Sequence, residues 1–295
     1  MESILTIIIP AYNEAESLPL VLPPLIQYCR EENWKIIVVN DGSSDASDDV
    51  LGNFTSEPIL KIVKHKVNRG YGGAIKTGIE NVETKYCVTF DADGQHQMTG
   101  LKKILAKMQL SDADMVVGNR IGSQSSGAFR ETGKWVIRQI AKFLMPIKID
   151  DINSGLKMYD TRLAQKYIAL CPNSMAYSDI ITLIFISQKH LVLEEKIEVS
   201  KRVAGKSTIG VKTAFQTVIE IINILMLFNP LKIFIPLSIS FFLLTTIWEL
   251  PLLIKGNGLS VGSLFGYVFS FVVFLLGLIA EQLGLIRKLI ISKHE

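Results

Sequence analysis

"TKYCVTFDADGQHQ", residues 84–97, decides how this chain is read. Tyr86 to Phe90 has the apolar, β-rich composition of a buried strand. It runs into Asp91 and Asp93, one residue apart, and then Gly94, Gln95 and His96. If the strand continues to its tip, alternate residues face one side and both carboxylates aim at one place. Two crowded carboxylates raise each other's pKa unless a cation is present.

Similar runs recur on either side of this stretch: "LTIIIP" (5–10), "KIIVVND" (35–41), "ILKIVKH" (59–65) and "DMVVG" (114–118). Helix-length segments separate them, as at 14–32 and 70–82. Short β-branched runs alternating with helices predict an α/β fold, a mostly parallel sheet covered on both faces. Ligands of such sheets bind at the carboxyl ends of the strands. The chain's unusual polar residues fall there, in "PAYNEAE" (10–16), "NDGSSD" (40–45), "NRGYGGAIKTG" (68–78) and "DADGQHQ" (91–97). One acidic or glycine-rich turn is ordinary; four in succession predict a site.

Gly70, Gly72 and Gly73 predict a backbone that a ligand can approach, ahead of a helix N-terminus that favours anions. With phosphates nearby, the economical partner for Asp91 and Asp93 is Mg2+ or Mn2+, which bridges carboxylate and diphosphate oxygens.

The 295 residues are 48% hydrophobic with mean hydropathy +0.32, and the excess is concentrated after Val211. Ile233 to Trp248 carries no charge and the apolar run resumes after Glu249; Ser263 to Ala280 is likewise uncharged. At 1.5 Å per residue, about 22 residues cross a bilayer core. Joined by "KGNGLSVG" (255–262), the two runs predict an antiparallel transmembrane hairpin. Lys201, Arg202, Lys206, Lys212 and Lys232 before it, and Arg287, Lys288 and Lys293 after it, predict cytoplasmic ends. Two buried helices of a soluble domain are the alternative. In 211–230, Lys212, Gln216, Glu220 and Asn223 form a thin polar stripe that suits a helix lying in the membrane surface or packed on the first domain. The predicted divisions are 1–210, 211–230 and 231–295. Ile4 to Ile9 is too short for a signal peptide. The net charge of +3 argues against nucleic acid as a partner, and Cys29, Cys87 and Cys171 show no metal or disulfide spacing.

"PAYNE", "NDGSSD", "NRGYGGAIKTG", "DADGQHQ", "GNR" (118–120) and "DINSG" (151–155) resemble, in order, the motifs of the inverting family 2 glycosyltransferases. The branch with dolichol-phosphate mannose synthase and the bacterial polyisoprenyl-phosphate glycosyltransferases is the most similar. The resemblance implies a GT-A (Rossmann-like) nucleotide-sugar-binding domain. It implies transfer from a UDP-glucose or GDP-mannose type of donor to undecaprenyl or dolichyl phosphate. Carried over to matching positions, it assigns Pro10, Tyr12, Glu14, Asp41, Asp91, Ala92, Asp93, Arg120 and Arg202 to the nucleotide sugar. Asp91, Asp93 and Gln95 would hold the metal. Asp93, Asp151 and Asp179 are candidate catalytic acids, which would orient the sugar or act as base.

Arg130, Lys134, Arg138 and Lys142, four residues apart, make a cationic helix stripe; it is either solvated or, with Arg202, a lipid-phosphate site. Arg202 also reads as a membrane-surface cation. Asn40 replaces an acid commoner in the family, and Lys157 an arginine. "SKRVAGKST" (200–208), which follows a strand-like run, imitates a P-loop but lacks its first glycine. His96 is left out of the metal set. A non-catalytic nucleotide-sugar-binding membrane subunit is the competing class, and a glycosyltransferase acting on another membrane lipid or polysaccharide is the enzymatic rival. A homo-oligomer through the hairpin is a further partner reading.

Overall fold

The computed structural model describes residues 2–94, 97–121, 149–198, 226, 230–256 and 258–292. Gln95, Arg130, Lys134, Arg138 and Arg202 lie outside them, and of the 211–230 segment Met226 and Pro230 are described. The chain divides into two units, Met1–Glu220 and Ile221–Glu295.

In chain order the first unit contains β1 (Leu5–Ala11), α1 (Leu18–Glu32), β2 (Lys35–Asn40), α2 (Ser47–Gly52), β3 (Leu60–Lys64), α3 (Tyr71–Glu80) and β4 (Tyr86–Thr89). It continues through α4 (Met98–Leu110), β5 (Met115–Ile121), β6 (Lys157–Asp160), α5 (Thr161–Tyr167), α6 (Tyr177–Ser187) and β7 (Val192–Glu198). The strands form one sheet in the order β3-β2-β1-β4-β6-β5-β7. β6 runs antiparallel to β4 and β5, and the other pairings are parallel. The five runs read from the sequence are β1 to β5. Ile7, Ile8, Ile9 and Ile36 to Val39 are buried regardless of which face they point to, because helices cover both. Ile7, Ile9 and Val38 join α1 and α4 in one core through Leu22, Leu25, Leu101 and Ile104, while Ile8 meets Gly78 of α3 on the other face. Each fully buried side chain of this kind contributes roughly 1.5–3 kcal/mol.

The order of strands reverses beside β1, with β2 on one flank and β4 on the other, so a crevice opens at their carboxyl ends. β4 stops earlier than the sequence suggests. Phe90 makes one more bond, from its N–H to the Ile8 carbonyl (2.9 Å), and Asp91 to Gly94 then leave the sheet, Gly94 with φ +72°. Asp91 and Asp93 are therefore presented by a turn and not by an extended strand tip.

The second unit contains α7 (Leu231–Ile254) and α8 (Val261–Ser292). Both are long and apolar enough to cross a membrane, with mean hydropathy 1.8 over Leu231–Ile254 and 2.3 over Val261–Ile286. The Ser238 hydroxyl donates to the Ser270 carbonyl (3.0 Å) and the Ser270 hydroxyl to the Ser238 carbonyl (2.8 Å). At the turn, the fully buried Glu249 carboxylate accepts from the Ser260 N–H (2.8 Å) and hydroxyl (2.7 Å), so it caps the start of α8.

Candidate active site

The loops after β1 and β2 are laced into one wall. Asn13 N–H donates to Ser43 Oγ (3.0 Å), Ser44 N–H to Asn13 Oδ1 (2.8 Å), Glu14 N–H to Ser47 Oγ (2.9 Å) and Ala15 N–H to Asp45 Oδ2 (3.1 Å). Pro10 ends up in register with Val39, and Tyr12 is exposed. Glu14 is half-buried and accepts from the Ser17 hydroxyl. Asn40 donates through its amide to Asp48 Oδ1 (3.1 Å), a bond that the acid commoner at this position could not make.

Asp41 is 2% exposed and braces the glycine loop. Its Oδ1 accepts from His65 Nδ1 (2.6 Å) and Arg69 N–H (2.9 Å), and its Oδ2 from Gly70 N–H (2.8 Å). His65 Nε2 lies 2.9 Å from Thr77 Oγ1. The side of the glycines where a Cβ would stand is filled by the chain itself. A Cβ on Gly70 or Gly72 would fall 2.5 Å or 2.3 Å from the carbonyl oxygen of Asn173 or Pro172, so the room is taken by the chain's own 172–174 loop.

Asp91 is the hub of the other wall. Tyr71, the first residue of α3, donates its hydroxyl to Asp91 Oδ1 (3.0 Å). Burial, followed by the negative charge of Asp91 and, more weakly, Asp93, holds the Tyr71 phenol well above its ordinary pKa, so it remains a donor. On its other side Asp91 packs on Gly155, where a Cβ would stand 2.1 Å from Oδ2. Asp93 and Ala92, which follow Asp91, are buried.

Arg120 closes this group. Its Nε donates to Asp151 Oδ2 (2.8 Å), its Nη2 to Asp151 Oδ1 (2.9 Å) and to the Asn153 carbonyl (3.1 Å). Burial works against the charge of each partner, yet the paired bonds win: the Asp151 carboxyl is held below the usual range and Arg120 is raised. A carboxylate so held is a weak proton acceptor, and its geometry suits orienting the guanidinium. Asp179, in the first turn of α6, is buried and supports the charge of the buried Lys157.

Among the described residues no three His, Cys, Asp or Glu side chains are grouped to hold a metal. The two carboxylates of Asp91 and Asp93 nevertheless fit Mg2+ or Mn2+, which binds through one or two carboxylates while substrate phosphates and water complete the shell. Tyr71 and His65 escaped the sequence reading of the site. Their signals were present: a tyrosine among glycines at a helix start, and a histidine at a strand's carboxyl end.

The model of glycosyl transferase family 2 matches residues 6–168, which carry β1 to β6 and the residues Asp41, Tyr71, Asp91, Arg120 and Asp151 of the site. The chain belongs to glycosyl transferase family 2. A second match, to the GtrB C-terminal hairpin over 229–286, covers α7 and α8 as far as Ile286 in this family 2 chain and associates it with a membrane. It is similar to the undecaprenyl-phosphate 4-deoxy-4-formamido-L-arabinose transferase of Aeromonas hydrophila, 24% identical over 95% of this chain and 88% of that one. The dolichyl-phosphate beta-glucosyltransferase of Dictyostelium discoideum is 33% identical over 39% of each chain. The chain spans 39–50% of the length of three of the curated relatives it matches. Glucosyl-3-phosphoglycerate synthase from Mycobacterium tuberculosis, solved with Mn2+, UDP and phosphoglyceric acid, agrees in fold with TM-score 0.60 at 13% identity, over 76% of this chain and 78% of that one. The fold is GT-A.

Proposed function

We propose that this chain transfers a sugar from a nucleoside-diphosphate sugar to a polyisoprenyl phosphate, with inversion, at the cytoplasmic face of a membrane. One observation carries the reading: a family 2 domain with Asp91 bonded to Tyr71 and Arg120 forked onto Asp151 shares its chain with a hairpin apolar enough to span a bilayer. The relatives named for undecaprenyl and dolichyl phosphate support the acceptor class. A UDP-glucose or GDP-mannose type of donor fits the same reading.

A lipid phosphate is an anion at neutral pH and needs no strong base. Its oxygen attacks the anomeric carbon, the bond from that carbon to the diphosphate breaks, and the electron pair leaves on the nucleoside diphosphate. The task left to the protein is alignment and charge compensation. In this reading the loops at Pro10, Tyr12 and Glu14 hold the nucleoside, with Asp41 setting the shape of the loop beside them. Asp91, Asp93 and Gln95 hold Mg2+ or Mn2+, which when bound supplies charge against the diphosphate. Arg120, aimed by Asp151, meets phosphate oxygens, and Asp93 and Asp179 face the sugar. Arg130, Lys134, Arg138 and Arg202 receive the lipid phosphate.

The test offers purified full-length protein a panel of radiolabelled nucleotide sugars with undecaprenyl or dolichyl phosphate, with and without excess chelator. Label should enter the lipid fraction with inverted anomeric configuration by NMR. Chelation, or Asp91→Asn, should cut turnover by about 10²-fold or more. Binding of nucleotide sugar without transfer to either lipid would favour the non-catalytic subunit, and full activity in chelator would remove the metal.

A further inference from the structure

We infer that Lys157 is a positioning residue, whose buried ammonium clamps the 150–155 turn to the start of α6 and so sets the places of Arg120 and Asp91. Lys157 opens β6 with no exposed surface. An ammonium has three donors, and three acceptors surround it: the Ile152 carbonyl (2.5 Å), the Ser178 hydroxyl (2.7 Å) and the Ser178 carbonyl. The Ser178 hydroxyl in turn donates to the Ser154 carbonyl (2.6 Å). Two carbonyls of the turn are thereby tied to one serine of α6, one through Lys157 and one directly.

The far end of the turn is tied separately. Glu194 on β7 accepts from the N–H groups of Asp150 (3.1 Å) and Asp151 (2.8 Å). Between these anchors the turn delivers two contacts: the Asp151 carboxylate forks onto Arg120, and Gly155 lies against Asp91 Oδ2. The Gly155 carbonyl is also fixed, accepting from Thr89 Oγ1 (2.6 Å) at the end of β4. The clamp thus reaches both the cation and the acid attributed above to the phosphate site, and its functional part rests on that reading.

An ordinary core position would hold an apolar residue here. Burying an ammonium is costly unless its hydrogen bonds are met and opposite charge is near. The hydrogen bonds are met, and Asp179 and Asp151 supply opposite charge, although burial outweighs them and lowers the amine's pKa below its ordinary value. The lysine spans from β6 to two other segments, which an apolar side chain of its length could touch but could not bond.

Hydrogen exchange on full-length protein in detergent tests the clamp without any substrate. In Lys157→Met, and more mildly in Ser178→Ala, amides of 150–156 should exchange about 10-fold faster while those of β1 and β2 keep their protection. The same two variants are then titrated with UDP and with GDP, each with Mn2+, and assayed for transfer. Binding stoichiometry should stay at the wild-type value while kcat falls about 10-fold or more, a split that loss of folded protein would not give. Unchanged exchange at 150–156 in both variants overturns the inference, as does a fall in stoichiometry that matches the fall in kcat. A wild type that moves no sugar to either lipid overturns the proposed function instead, and the exchange result then decides the clamp alone.

Discussion

Gly155→Ala adds one methyl group at the most crowded point of the site. Its carbon would stand 2.1 Å from Asp91 Oδ2, 2.9 Å from Cγ and 3.1 Å from Oδ1. Ordinary contact requires the carboxylate or the 150–155 turn to retreat by roughly 1 Å. The carboxylate cannot retreat freely, since Oδ1 holds the Tyr71 hydroxyl at 3.0 Å, and the Gly155 carbonyl is held by Thr89. Overpacking of this size costs about 1–3 kcal/mol in stability, a few degrees in melting temperature for a domain of this size. The cost in rate is larger, because a displacement of about 1 Å in a positioned group costs about 10²-fold. Initial rates of sugar transfer and Mn2+ affinity by EPR, both measured well below the melting temperature, separate the two effects. Gly52→Ala is the control: its methyl meets nothing within 4 Å, and rate and Mn2+ affinity should be unchanged. Turnover of Gly155→Ala within about threefold of wild type, when about 10²-fold is expected, would refute the role given to this contact.

Arg120→Lys keeps the charge but loses the fork onto Asp151, so transfer should fall about 10-fold or more, with a smaller effect on melting temperature. Asp151 has its folded pKa depressed below 3.8, so the stability it adds is present above that value and lost as pH falls below it. The acid limb of a melting-temperature profile should therefore be shallower in Asp151→Asn. Burial, against the pull of Asp179 and Asp151, lowers the Lys157 pKa below its ordinary 10.5, so the cost of burying its charge fades as pH rises toward that value. Relative to Lys157→Met, wild-type stability should increase as pH rises toward 10, as read by denaturant unfolding; a relative fall would contradict the burial of the amine. In the hairpin, replacing Ser238 and Ser270 together by alanine should lower the stability of the α7–α8 pair by about 1 kcal/mol, since a hydrogen bond between membrane helices averages about 0.6 kcal/mol. An unfolding force or steric-trap measurement in bilayers checks it.

The sheet was legible where strands are apolar and central. β1 to β5 follow β-branched runs whose carboxyl ends carry the polar loops, and the two long apolar helices announce themselves by length. β6 escaped because it has four residues and begins with a lysine, and nothing in local pattern reveals that a lysine is buried. The identities of Asp91 and Asp93 could be read, but the turn that presents them depends on where pairing with β1 ends. Tyr71 and Gly155 meet Asp91 from 20 and 64 residues away along the chain, and contacts of that kind belong to the tertiary fold. The glycines illustrate the same limit. Their small size was visible in sequence, whereas the loop that occupies the space they leave was not. Gln95, Arg130, Lys134, Arg138 and Arg202 remain assignments from sequence.

The bonds that Asp41 makes to His65, Arg69 and Gly70 all lie within the chain itself. A loop already held by its own chain does not lose freedom when a ligand arrives, so little of the ligand's interaction energy is diverted into ordering it. Donor association at this wall should then proceed as docking onto a finished surface, with a rate proportional to ligand concentration and no slower saturating phase from loop closure. The pairing of His65 with Asp41 would in this way bear on how the first substrate arrives.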